Sequence, residues 1–254
     1  MLPTVGLLRQ NMNKIIKIIL YSLFLCTLTA SAKVALLPVN DSAGYVARLL
    51  INEVPFPGEH GYISEKDTMA AMRALLFVLD SRINQVPAGY RRSEVAAVDS
   101  DNVLDVITAG GIRGQMDGFY YNRGQLAMAS RVSARINNLL KIANQGTPGR
   151  FASLIRYGQR MATDYVARGV IHQPDIFIGI STIPPRQVTG RAYGWMTDRD
   201  YYNPGGCFVK IPNHMKGRLG GNRFYTLARR ASSKSVKKSS GGGSIIAIPK
   251  SEGR

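Results

Sequence analysis

The feature that most restricts what this chain can fold into is the stretch from Ser64 to Ile83. Met69, Met72, Leu76, Leu79 and Ile83 recur at the spacing that lays side chains along one face of an α-helix. Ser64-Glu65-Lys66-Asp67 opens the stretch as a capping box with Asp in the fourth place. Upstream, Asp41-Ser42 can cap a second helix whose apolar positions are Tyr45, Val46, Leu49 and Leu50, and Pro55 and Pro57 end it. Glu53 falls in the last turn of that helix, four residues after Leu49 and therefore on its apolar face.

Two further helices are expected over 125–144 (Leu126, Met128, Val132, Ile136, Leu139, Leu140) and 151–168 (Phe151, Leu154, Ile155, Met161, Tyr165), with Gly146-Thr147-Pro148-Gly149 between them. Beyond Gly169 the texture changes to prolines, tyrosines and many glycines, which suits short strands and long loops. The expected class is α+β, mainly helical, with a loop-rich and partly β C-terminal third. No internal repeat of about 20–50 residues is visible.

The N-terminal segment is of another kind. Arg9, Lys14 and Lys17 precede an apolar run from Ile18 to Leu28, closed by Ala30-Ser31-Ala32. That order of positive, apolar and small residues is the pattern of a cleavable secretory signal over 1–32. A spanning helix would need about 18 or more apolar residues, and Tyr21, Ser22 and Thr27 interrupt this run. Bulky Phe24 and Leu25 argue against Cys26 as a lipidation site, and Met12 is an alternative start. The expected product is secreted or periplasmic, begins at Lys33, and meets a membrane only through the uncleaved signal.

Of 33 Lys and Arg and 16 Asp and Glu, residues 1–32 hold three cations and no acid, so the remainder carries +14. Such a charge calls for an anionic partner. For an exported protein the abundant polyanions are wall polymers and lipid head groups rather than nucleic acid. Residues 231–243 are small, polar and basic, with too little apolar surface to offset the entropy of ordering. They are expected to be a flexible tail, which puts the domain at about 40–230 and the tail at 231–254, where Lys234, Lys237 and Lys238 would strengthen adsorption to walls.

One cysteine, Cys207, is left after signal removal, so no internal disulfide can form. His60, His172 and His214 are too few and too scattered for a zinc site, and no metal or cofactor is expected. Ser93 and Ser181 lie in no nucleophile elbow, and His172 and Cys207 have no spacing that would pair them. Gly110-Gly111-Ile112-Arg113-Gly114 lacks the strand and lysine of a phosphate cradle and is expected to be a turn. Glu53 is different. A carboxyl on an apolar helix face is poorly solvated, desolvation raises its pKa, and a carboxyl kept protonated can serve as a general acid.

Several segments together resemble a known family. Val46-Ala47-Arg48-Leu49-Leu50-Ile51-Asn52-Glu53, followed by a loop and a helix closing Val78-Leu79-Asp80-Ser81-Arg82, is similar to the bacterial cell-wall hydrolases that include spore-cortex-lytic enzymes. Gln115-Met116-Asp117-Gly118-Phe119, Tyr201-Tyr202-Asn203-Pro204 and Leu219-Gly220-Gly221-Asn222-Arg223-Phe224-Tyr225 resemble three further motifs of that family, in the same order. Asp80 stands where the family usually has Asn, Met116 where it has Phe, and Gly221 and Asn222 where it has Asn and His.

The resemblance implies a lysozyme-like fold with Glu53 as the catalytic acid. It implies cleavage of peptidoglycan glycan strands between N-acetylmuramic acid and N-acetylglucosamine, as a lytic transglycosylase, by a monomer without cofactor. A second carboxylate would favour ordinary hydrolysis; Asp80, Asp117, Asp198 and Asp200 are available, and spacing selects none of them. Gln115, Tyr201, Tyr202 and Tyr225, with Trp195, the only tryptophan, are the candidates for the glycan groove. The rival reading is a non-catalytic, basic wall-binding protein, which needs no buried acid.

Overall fold

A computed structural model describes residues 33–145, 149–169, 171–197, 206–212 and 218–230. The expected signal segment and the expected tail, with the candidates Tyr201, Tyr202, Asp198 and Asp200, lie outside the described residues.

The first helix, α1 (Ser42–Asn52), begins where Asp41 accepts a hydrogen bond from the Gly44 N–H at 2.8 Å. It is buried on nearly every side, and Gly44 is required there because a Cβ would lie 2.2 Å from the Pro38 carbonyl oxygen. Ser64 caps α2 (Glu65–Asn84) by accepting from the Asp67 N–H at 3.1 Å. Only this half of the expected capping box forms: the Asp67 carboxyl instead accepts from the Gly220 N–H at 2.9 Å. Asp is one methylene shorter than Glu, and a tertiary donor has claimed its oxygen.

The expectation of a single apolar stripe on α2 understates its burial. From Ala74 to Ile83 every residue is buried, including Asp80, Ser81 and Arg82. The reason is position: α2 runs through the middle of the domain and touches α1, the short helices α3 (Arg92–Ala96) and α4 (Val103–Thr108), the sheet, and the last long helix. Its polar residues Asp80, Ser81 and Arg82 are enclosed and paired.

After a 3₁₀ turn at Gly111–Arg113 comes a hairpin of β1 (Phe119–Asn122) and β2 (Gln125–Met128), then α5 (Ser130–Ala143) and α6 (Arg150–Arg168). The helix expected from residue 125 therefore starts five residues later. Arg123 and Gly124 both take positive φ, +50° and +79°, the turn that matches strand twist in a two-residue hairpin. That turn chemistry overrides the helical spacing of Leu126 and Met128. Tyr45 on α1 fastens the hairpin through its hydroxyl, which donates to the Ala127 carbonyl at 2.7 Å.

The C-terminal third is partly β, as expected. A 3₁₀ helix at Asp175–Thr182 leads into an antiparallel sheet of order β3 (Val188–Thr197), β6 (Asn222–Ala228), β4 (Phe208–Lys210), with the short β5 (Arg218–Leu219) also on β6. Phe177 of the 3₁₀ helix wedges between Phe77 of α2 and Phe224 of β6, at centroid distances of 5.4 and 5.2 Å. The class is α+β. Its packed part begins before residue 40: Val34 is buried and exchanges two hydrogen bonds with the Asn144 side chain.

Candidate active site

Glu53 is the residue on which α1 stops. Its own N–H still closes the helix onto the Leu49 carbonyl at 3.0 Å, and Pro55 then turns the chain away. Helix ends leave carbonyls without partners. Here Arg135 of α5 supplies them, donating to the carbonyls of Ile51, Asn52 and Val54 at 2.9, 3.2 and 2.9 Å. The same guanidinium forks onto both carboxylate oxygens of Glu59 and lies over the Phe56 ring. A cation at a helix C-terminus also complements the helix dipole. Arg135 thus fixes the loop that carries Glu53.

The Glu53 carboxylate is half-buried and held on both oxygens. Trp195 of β3 donates its indole N–H to Oε2 at 3.0 Å, and the Asn52 amide donates to Oε1 at 3.2 Å. Burial pushes its pKa up from the ordinary carboxyl range; the two donors and the positive charge of Arg135 pull the other way, and burial is the largest effect. Asp117 adds a smaller upward push, which puts its charge within electrostatic reach of Glu53. A pocket lined by Ile112, Arg113, Asp117, Ala129 and Arg131 opens at that aspartate.

Two strands bring their residues to Glu53 from the far side of the domain. Registry shifts in β3 between Val188 and Gly194 end just before Trp195, which pairs with Phe224, while Thr197 pairs with Asn222. Irregularities of this kind re-aim side chains. Asn222 is 1% exposed, and its amide donates to the Glu53 carbonyl at 2.6 Å and to the Gly220 carbonyl at 3.1 Å. The turn that delivers it is Gly220-Gly221, both at positive φ, pressed against α2 and against Gly61.

Arg82, in the buried half of α2, completes the group. Its Nε donates to the Tyr193 carbonyl at 2.7 Å, its Nη1 donates to Gln115 Oε1 at 2.6 Å, and its guanidinium carbon lies 5.2 Å from the centre of the Trp195 ring. Glu53, Trp195, Arg82 and Gln115 therefore form one connected chain of contacts, with Gln115 at its exposed end.

Other candidates fall elsewhere. Tyr225 was expected to face a groove; it is 2% exposed in the sheet, beside Phe208 and with its hydroxyl near Met196, and its ring offers no face to a ligand. The strand alternation that would have turned it outward is overridden because both faces of β6 are covered. Asp80 pairs with Arg191 at 3.0 Å and accepts from Asn84 at 2.8 Å, away from the Glu53 contacts. Asp117 pairs with Arg131 on the surface.

Arg82, Arg135 and Asn222 were not singled out from sequence as site residues. Arg82 carried a usable signal, since it sits three residues after Leu79 and one before Ile83 inside an apolar helix, where a cation must find partners. Asn222 was marked only by its place in a family-like motif, and Arg135 by nothing, because their partners are main-chain carbonyls distant in sequence. Among the described residues no group of His, Cys, Asp and Glu could hold a metal ion, and no helix is long and apolar enough to cross a membrane. No family model, curated protein or solved structure matches the chain.

Proposed function

We propose that the chain is an exported, lysozyme-like enzyme that cleaves the glycan strands of peptidoglycan, with Glu53 as general acid and then general base. The observation that carries the reading is the setting of Glu53: a carboxyl at the end of a buried helix, with its pKa raised by burial and its geometry fixed by Trp195 and Asn52. Glycoside cleavage needs a carboxyl that keeps its proton until the leaving oxygen takes it. The resemblance of the segments around Glu53, Arg82, Gln115 and Asn222 to cell-wall hydrolases names the substrate class, and the net charge of +14 without residues 1–32 suits an anionic wall.

In this reaction Glu53 gives its proton to the glycosidic oxygen between N-acetylmuramic acid and N-acetylglucosamine as the bond to the anomeric carbon breaks. The resulting carboxylate then removes a proton from the muramic 6-hydroxyl as that oxygen attacks the same carbon, leaving a 1,6-anhydro end and returning Glu53 to its acid form. Among the described residues Asp80 is committed to Arg191 and Asp117 pairs with Arg131 on the surface, which favours a single carboxyl serving both steps.

The test is Glu53→Gln assayed on purified peptidoglycan, with products identified by mass spectrometry and a thermal melt alongside. Loss of acid–base help should lower the rate about 10²- to 10⁴-fold or more in a folded protein. Wild-type turnover by folded Glu53→Gln protein would refute the assignment and leave the wall-binding reading.

A further inference from the structure

Arg82 poses a physical problem. Its side chain belongs to a residue only 6% exposed, and among the described residues no carboxylate pairs with it. Burial lowers its pKa to about 10, so it is still a cation at neutral pH. A buried charge without a counter-ion is expensive to keep. What surrounds it instead is a carbonyl, an amide oxygen and the face of an indole, and each of these orients something.

The ring comes first. A guanidinium over an indole face is attracted by the ring quadrupole, more strongly where water is excluded. That contact fixes the plane of Trp195, whose edge N–H reaches Glu53 Oε2 at 3.0 Å. Arg135 and Asp117 are the charges felt at Glu53, and Asn52 is its other donor.

The amide is the second consequence. A guanidinium has donors and no acceptor, so the Gln115 atom that meets Nη1 at 2.6 Å must be its oxygen. The amide nitrogen of this exposed residue is thereby turned outward, with its two N–H donors available to a ligand. A side chain that could have presented either a donor or an acceptor is restricted to presenting donors.

We propose that Arg82 is a positioning residue that orients Trp195 toward Glu53 and Gln115 toward the substrate, and that Gln115 thereby selects a hydrogen-bond acceptor such as the acetamido carbonyl of an N-acetylated sugar. The proposal rests on the reading of Glu53 as the acid and adds to it the group on the sugar that the site recognises. A de-N-acetylated sugar offers an ammonium, whose donors would confront the donors of Gln115. Selectivity against it follows from the unmatched pairing.

Arg82→Met removes a buried side chain and risks misfolding, so two gentler substitutions carry the test. Gln115→Met, at an exposed position, should raise KM about tenfold on N-acetylated glycan, the loss expected for one hydrogen bond, and should lower KM on de-N-acetylated glycan, whose ammonium no longer meets opposed donors. A merely structural Gln115 would lower activity on both alike. Trp195→Phe keeps a ring over Arg82 and deletes the donor to Glu53. It should raise the pH at which Glu53 titrates, followed by carbon-13 NMR of its carboxyl in the whole protein, by about one to two pH units, the worth of a hydrogen bond to a charged group. The acid limb of kcat/KM should move with it.

Unchanged discrimination between the two glycans by Gln115→Met, or an unmoved Glu53 titration in Trp195→Phe, would overturn the proposal. The NMR titration needs no turnover. A shifted titration in Trp195→Phe together with an active Glu53→Gln protein would therefore refute the acid while leaving the hydrogen bond from Trp195 to Glu53 standing.

Discussion

Gly220→Ala should destabilise the domain much more than the same change at a comparable turn, and the structure gives the size of the difference. Gly220 takes φ +52° at the turn between β5 and β6, and an added Cβ would lie 2.4 Å from the Cβ of Ala71. The left-handed backbone alone costs an L-residue about 1–2 kcal/mol. Non-bonded carbons prefer about 3.5–4.0 Å, and neither side can yield easily. Ala71 is fully buried within α2, and the Gly220 N–H is bonded to the Asp67 carboxylate at 2.9 Å. Overpacking at such a contact adds about 1–3 kcal/mol.

Gly124, at φ +79° in the β1–β2 turn, would meet the backbone cost with nothing within 4 Å of its Cβ. At about 2–4 °C per kcal/mol for a chain of this size, Gly220→Ala should melt several degrees below Gly124→Ala. Adding Ala71→Gly should recover the overpacking part, a coupling of about 1–3 kcal/mol in a double-mutant cycle. The same turn seats Asn222 on the Glu53 carbonyl, so Gly220→Ala should also lower activity in its folded fraction. Equal melting temperatures for the two single variants, or no rescue by Ala71→Gly, would refute the packing argument.

Glu53 also makes stability depend on pH in a stated direction. Its pKa is raised by burial in the folded protein, so the folded state holds that proton to higher pH than the unfolded chain does. The group's contribution is therefore favourable at low pH and is lost as pH rises from the ordinary carboxyl range through the folded pKa. Glu53→Gln should gain stability relative to wild type across that window, with a flat difference above it; urea titrations at several pH values would show a constant difference if the carboxyl were not perturbed. Asp80→Asn keeps an acceptor for Asn84 but turns an amide toward Arg191, and should cost about 1–3 kcal/mol in denaturant melts while the folded protein retains the proposed glycan cleavage. Arg135→Met strands three main-chain carbonyls and the half-exposed Glu59 carboxylate, and should cost about 1–3 kcal/mol and reduce turnover through disorder at Glu53. Retained stability in that variant would mean that water replaces the guanidinium.

The local elements were legible in the sequence because their signals are local. Asp41 and Ser64 cap helices within three residues of themselves, Gly169 ends α6 in the left-handed conformation, and apolar spacing marks all four long helices. The placement of Glu53 on the apolar side of a helix end followed from the same arithmetic. The β1–β2 hairpin was missed because Leu126 and Met128 continue a helical spacing into α5, and only the turn at Arg123-Gly124 contradicts it.

What only the tertiary structure decided is the company Glu53 keeps. Trp195, Arg135 and Asn222 reach it across 142, 82 and 169 positions of chain. They arrive by way of strand register, a glycine turn wedged against Ala71, and a guanidinium that satisfies the end of α1. Hydrogen-bond partners of that separation leave no periodicity in a sequence. Tyr225 shows the limit from the other side. Its residue type and motif placed it on a groove, but solvent exposure is a property of what packs on both faces of β6, and that is fixed only when the sheet closes against α2.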